Sequence, residues 1–91
     1  MSEITIKFVE KVLEASKIKY NNLNITNLDI GEWLIESNGK EYIIHSRDAD
    51  DNFFDFLLCE NIINSLGKKY SKPIFKGLYN YRTNEVEKWR V

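Results

Sequence analysis

Between residues 3 and 18 apolar side chains recur every three or four positions. Ile4, Phe8, Val9, Val12, Leu13 and Ala15 fall on one side of a helical wheel, while Lys7, Glu10, Lys11, Glu14 and Lys17 take the other. That period predicts an amphipathic helix with one face on a core. Ser2 stands where an N-cap hydroxyl would accept an orphan backbone N–H. Residues 20–31 are less regular. Leu23, Ile25, Leu28 and Ile30 suggest a short strand and a turn, and four asparagines leave its bounds open.

From residue 32 the pattern changes to alternation. Two β-rich runs flank Asn38-Gly39, the dipeptide favoured in a two-residue type I′ hairpin turn. The turn fixes the register, with Ser37 facing Lys40, Glu36 facing Glu41, Ile35 facing Tyr42, Leu34 facing Ile43 and Trp33 facing Ile44. Trp33, Ile35, Tyr42 and Ile44 then share the core side. Glu32, Leu34, Glu36, Glu41, Ile43 and His45 share the other.

Residues 47–52, Arg47 to Asn52, form an acidic loop. Its aspartates sit where they would cap a following helix and suit its dipole. Residues 52–66 are accordingly expected to be that helix. Phe53, Phe54, Phe56, Leu57, Leu58, Ile62, Ile63 and Leu66 occupy nearly every direction of its wheel, as in a helix buried on several sides. Gly67 would end it, with Lys68 and Lys69 at its C-terminal dipole. After Pro73, residues 74–91 read as a second hairpin. A three-residue loop, Thr83-Asn84-Glu85, makes Arg82 face Val86 and Tyr79 face Trp89. Phe75, Tyr79, Tyr81, Trp89 and Val91 then share one face. Lys76, Arg82, Lys88 and Arg90 share the other with Ile74, Leu78 and Val86. The expected fold is one α+β domain over residues 1–91. It runs helix, hairpin, helix, hairpin, with two helices packed on one antiparallel sheet.

Composition narrows the setting. A chain of 91 residues fits one domain with a modest core. With 43% hydrophobic and 30% charged residues it is expected to be folded rather than disordered. The lone Cys59 allows no internal disulfide, which points to the cytoplasm. No apolar run is long enough to span a bilayer and no signal-peptide pattern opens the chain, so no membrane partner is expected. Net charge is −1 but unevenly spread. Residues 1–66 carry six Lys/Arg against twelve Asp/Glu, and residues 67–91 carry seven against two. Such asymmetry marks a binding surface, two self-complementary faces, or halves that neutralise each other on folding.

Three groups of residues are candidates for function. The acidic surface comprises Glu36, Glu41, Asp48, Asp50, Asp51 and Asp55, read either as a dock for a basic protein or as a solvated face with helix capping. The basic hairpin offers Lys76, Arg82, Lys88 and Arg90 to nucleic acid phosphates, beside aromatics that stack on bases or simply fill the core. Asp48, Asp50 and Asn52 match the first ligand positions of a calcium loop. Phe53 stands where that loop needs glycine and Cys59 where it needs a bidentate Glu, so no metal site is expected. No catalytic residue and no cofactor is expected either. His45 is the only histidine, Cys59 lies among apolar neighbours, and no phosphate loop or nucleophile elbow is present.

The stretch Asn38-Gly39-Lys40-Glu41-Tyr42-Ile43-Ile44-His45-Ser46 leads through the acidic loop into the expected second helix, behind an N-terminal helix. In this layout the chain resembles small phage-encoded anti-CRISPR proteins, which inhibit Cas nucleases. The resemblance implies a compact, non-enzymatic α+β protein whose carboxylates occupy a basic DNA-binding cleft. Glu36, Glu41, Asp48, Asp50 and Asp51 would then mimic phosphates. The leading expectation is a non-catalytic inhibitor or adaptor that binds a larger protein, a nucleic-acid-handling enzyme such as a Cas nuclease. The alternatives are a nucleic-acid-binding module built on the basic hairpin, and a homodimeric regulatory protein.

Overall fold

A computed structural model of the chain describes residues 2–89. One helix, α1 (Glu3–Ala15), precedes six strands: β1 (Asn24–Asp29), β2 (Glu32–Ser37), β3 (Lys40–Asp50), β4 (Phe53–Ile63), β5 (Lys69–Asn80) and β6 (Glu85–Trp89). The strands form a single antiparallel sheet in chain order, each pairing with its neighbours in sequence. The helix starts where the sequence places it. Ser2 Oγ accepts the backbone N–H of Thr5 at 3.2 Å. Phe8, Val9, Val12 and Leu13 are its buried stripe.

The β2–β3 hairpin has the expected register, from Ser37↔Lys40 through Trp33↔Ile44, and continues to Glu32↔His45. Asn38 and Gly39 both take positive φ, 53° and 75°, as a type I′ turn requires. Side-chain bonds tie this turn to the segment that follows α1. Ser37 Oγ donates to the Asn21 carbonyl at 2.6 Å, and Asn38 Nδ2 donates to the Lys19 carbonyl at 3.2 Å. Residues 20–31 resolve into the edge strand β1 and a tight turn at Ile30-Gly31.

The expected second helix is a strand, and the two-helix fold class is therefore wrong. Alternate residues of β4 divide between the faces. Phe54, Phe56 and Leu58 pack under α1, with Phe56 and Leu58 fully buried, while Phe53, Leu57 and Cys59 point the other way. A central strand with apolar residues on both faces fills every direction of a helical wheel, which is why its periodicity resembled a buried helix. Gly67 ends no helix. It closes the β4–β5 loop, where Asn64 Oδ1 accepts the N–H groups of Leu66 (2.9 Å) and Lys68 (3.0 Å).

The last hairpin also departs from expectation. β5 begins at Lys69 rather than after Pro73. Pro73 sits inside it at a bulge opposite Cys59, a place where a strand tolerates a missing N–H. The β5–β6 loop has four residues, Tyr81 to Asn84, not three. Asn80 Oδ1 accepts the N–H groups of Arg82 and Thr83 at 3.0 and 3.2 Å, and Asn84 takes positive φ. Tyr79 thus faces Val86, not Trp89, and every β6 position changes parity relative to the expected pairing.

Phe8 is the centre of the core. Its ring lies 5.0–6.1 Å from those of Trp33, Phe54, Phe56 and Tyr79. The helix covers one face of the sheet. The opposite, open face carries Leu34, Ile43 and Leu57, half-buried among longer polar side chains.

Candidate functional site

The meander sorts the turns into two ends. The β1–β2, β3–β4 and β5–β6 turns and the start of α1 lie at one. The β2–β3 and β4–β5 turns and the end of α1 lie at the other. This sorting breaks the expected acidic surface apart. Glu36 and Glu41 oppose each other at the far end of β2 and β3, whereas Asp48, Asp50 and Asp51 gather at the β3–β4 turn. Along β3, Glu41 and Asp50 are separated by roughly 30 Å.

The six carboxylates also differ in their partners. Glu41 Oε1 accepts from Asn61 Nδ2 at 3.2 Å and from Lys69 Nζ at 3.1 Å. The Asn61 amide, and then Lys69, hold its carboxyl below the usual range. Ser71 Oγ in turn donates to Asn61 Oδ1 at 2.7 Å. Asp55 Oδ2 accepts from Arg47 Nε and Nη2 at 3.3 and 3.1 Å across the β3–β4 pair. Glu36 accepts a long bond, 3.4 Å, from Asn24 Nδ2. Asp48, Asp50 and Asp51 are exposed, and none has a cation within ion-pair distance among the described residues. Asp55 and Glu41 thus leave the candidate surface, and Glu36 is at the wrong end of it.

The acidic turn is held in place. Asp50 Oδ1 accepts the N–H of Asn52 at 3.1 Å, closing the turn locally. Tyr81, in the neighbouring β5–β6 turn, clamps it from outside. Its hydroxyl donates to the Asp51 carbonyl, its N–H donates to the Asn52 carbonyl at 3.1 Å, and its ring stacks on Phe54 at 5.1 Å. Asp48, Ala49, Asp50, Asp51 and Tyr81 line a depression of about 410 Å³. The sequence reading assigned Tyr81 only to an aromatic face and Arg47 only to the acidic loop. Both roles follow from cross-strand pairing, and become legible once residues 53–63 are taken as a strand.

Lys76 and Arg82 do not share a surface. Lys76 is on the open face, Arg82 is in the β5–β6 turn at the acidic end, and the backbone of Lys88 pairs with Gly77. Arg90 lies outside the described residues. The face expected to carry Lys76 and Arg82 together is thus not formed.

His45 and Cys59 are the groups closest to chemistry. His45 Nδ1 lies 2.8 Å from Glu32 Oε2, its cross-strand partner. Cys59 is buried in β4, and burial pushes its thiol upward in pKa, which keeps it protonated. Among the described residues no three metal-ligating side chains converge, and no helix is long and apolar enough to cross a membrane. The hairpin and acidic loop shared with the anti-CRISPR layout lead into strand β4, not into a helix. Comparison with protein-family models, with curated proteins and with solved structures finds no match for the chain.

Proposed function

We propose that this is a non-catalytic binding protein, an inhibitor or adaptor that docks its acidic end on the basic surface of a larger protein. One observation carries the reading. Three exposed carboxylates, Asp48, Asp50 and Asp51, stand at one turn with no ion-pair partner among the described residues, while Tyr81 ties that turn to the neighbouring one. Charge held in advance in the bound geometry loses less entropy on docking and steers encounter with a positive partner. A basic nucleic-acid-binding cleft offers the cations that such carboxylates meet in place of backbone phosphates. The narrower version is a phage or mobile-element inhibitor of a nuclease of the Cas type. The burial of Cys59 supports a role without thiol catalysis.

The test is competition. Wild-type protein is titrated against labelled DNA bound to a panel of nucleic-acid enzymes, Cas nucleases first. Displacement is expected for at least one enzyme, lost in the Asp48→Lys, Asp50→Lys, Asp51→Lys triple variant and retained in Glu36→Lys at the opposite end. A triple variant that competes as well as wild type refutes the acidic-end contact. Failure to displace DNA from any enzyme refutes the phosphate-mimic reading.

A further inference from the structure

The end opposite the acidic turn has a different character. The β4–β5 hairpin projects beyond its neighbours. The first β3–β4 pair is Glu41↔Asn61, while β4 and β5 continue to Ile63↔Lys69, and β6 reaches only Lys76. Three large apolar side chains stand in the open on this projection. Ile63 is 66% exposed, Leu66 82% and Tyr70 48%. The loop that carries Leu66 is built around Asn64, whose backbone N–H and side-chain oxygen both bond across it.

The register distributes these residues around the hairpin. Ile63 has the parity of the open face, Tyr70 pairs with Ile62 on the helix side, and Leu66 is at the tip. A flat protein surface meets one face of a hairpin. A medium that surrounds a convex tip meets all three residues. Lysines stand beside and behind them. Lys68 is in the loop, and Lys72 is set back from Tyr70 on the same side by roughly 7 Å. Lys40, on the adjacent turn, lines one depression with Ile63, Lys69, Glu41 and Glu60 and a second with Lys17 and Lys19. Exposed apolar residues occur elsewhere, but Leu28 and Ile30 flank Asp29, and Ile4 and Ile6 belong to the first turns of the helix beside Glu3. Among the described residues, the hairpin tip joins exposed apolar side chains to an excess of lysines, Lys40, Lys68, Lys69 and Lys72 against Glu41 and Glu60.

We propose that the β4–β5 hairpin docks the protein on an anionic lipid surface. Ile63, Leu66 and Tyr70 enter the boundary between headgroups and acyl chains, and Lys68, Lys72 and Lys40 meet lipid phosphates. The depth available to apolar anchors at that boundary, about 5–10 Å, matches the set-back of Lys72 behind Tyr70. The expectation of no membrane partner drew on the lack of a spanning run, which bears on crossing and not on docking. This site is independent of the acidic end and leaves it pointing away from the surface.

Flotation of the full chain with vesicles tests the proposal. Binding is expected to mixed phosphatidylcholine–phosphatidylglycerol vesicles at low salt and not to pure phosphatidylcholine. Lysines near an anionic surface contribute about five-fold each, so Lys68→Glu with Lys72→Glu is expected to weaken binding by more than about 25-fold. Leu66→Asp is expected to weaken it by about ten-fold or more. These positions are exposed, and circular dichroism checks that each variant folds. Leu66→Trp reports entry directly, through a blue shift of its emission on mixed vesicles. The Asp48, Asp50, Asp51 triple variant is expected to bind as wild type, which separates this site from the acidic one. No flotation with mixed vesicles, or full flotation of Leu66→Asp, overturns the proposal. Binding of soluble polyglutamate as tight as that of mixed vesicles also overturns it and assigns the tip to an acidic protein.

Discussion

Replacing Gly31 by Ala is expected to cost far more than the same change at Gly39, although both glycines sit in tight turns at nearly the same positive φ, 72° and 75°. The backbone term is common to both, and an alanine forced into the left-handed region loses about 1–2 kcal/mol. The surroundings differ. A Cβ on Gly39 meets nothing within 4 Å, whereas one on Gly31 would lie 2.1 Å from the Ser46 carbonyl oxygen. Relief requires the β1–β2 turn to move off β3. That motion breaks the bonds from Ser46 N (2.6 Å) and Ser46 Oγ (3.1 Å) to the Gly31 carbonyl. Each contributes about 0.5–1.5 kcal/mol. The total for Gly31→Ala is thus about 2–5 kcal/mol, against a stability of about 5–13 kcal/mol for a domain of this size. Urea denaturation, followed by far-ultraviolet circular dichroism and by tryptophan fluorescence, measures both variants. If Gly31→Ala falls within about 0.5 kcal/mol of Gly39→Ala, the close approach of Ser46 has no energetic weight and the reasoning fails.

Two further predictions concern the core and the open face. Phe8→Ala removes the ring that joins α1 to Trp33, Phe54, Phe56 and Tyr79 and is expected to cost about 3–5 kcal/mol. The exposed Ile4→Ala on the same helix is expected to cost under about 1 kcal/mol, and equal thermal shifts for the two would contradict the assigned helix face. Glu41 supplies a pH dependence. Its carboxyl is depressed by Asn61 and Lys69 in the fold, so its stabilisation is complete above the unfolded value and is lost as pH falls through the folded one. Asn61→Ala is therefore expected to lose less stability than wild type between neutral and acid pH. Matching losses in parallel urea titrations would remove Glu41 from the account.

The legible parts of the sequence were those in which one face is polar. Ser2 and the stripe from Phe8 to Leu13 specify α1, and Asn38-Gly39 pins a register that the structure reproduces pair by pair. β4 was misread because Phe53 and Leu57 are apolar as well as Phe54, Phe56 and Leu58, so alternation vanishes where both faces are partly buried. That error propagated to the site. A helix after Asn52 turns Asp48, Asp50 and Asp51 into caps, and it hides the cross-strand pairing of Arg47 with Asp55 and of Glu41 with Asn61. The β5–β6 register failed on turn chemistry. Asn80, whose side chain caps the loop, closes the turn against Glu85, where a Thr83-Asn84-Glu85 loop would close Arg82 against Val86.

The place of Phe8 in the core has a consequence during synthesis. Neighbouring strands of the meander can pair as soon as each hairpin is complete, because no pairing waits for a distant segment. The helix is made first, yet its buried ring needs Phe54, Phe56 and Tyr79. About 70 residues separate Phe8 from Tyr79, so at roughly 5–20 residues per second the apolar stripe of α1 stays unburied for some 4–14 seconds on the ribosome. For that interval the nascent chain displays Phe8, Val9, Val12 and Leu13 to whatever binds hydrophobic segments, and the arrival of β5 is what withdraws them.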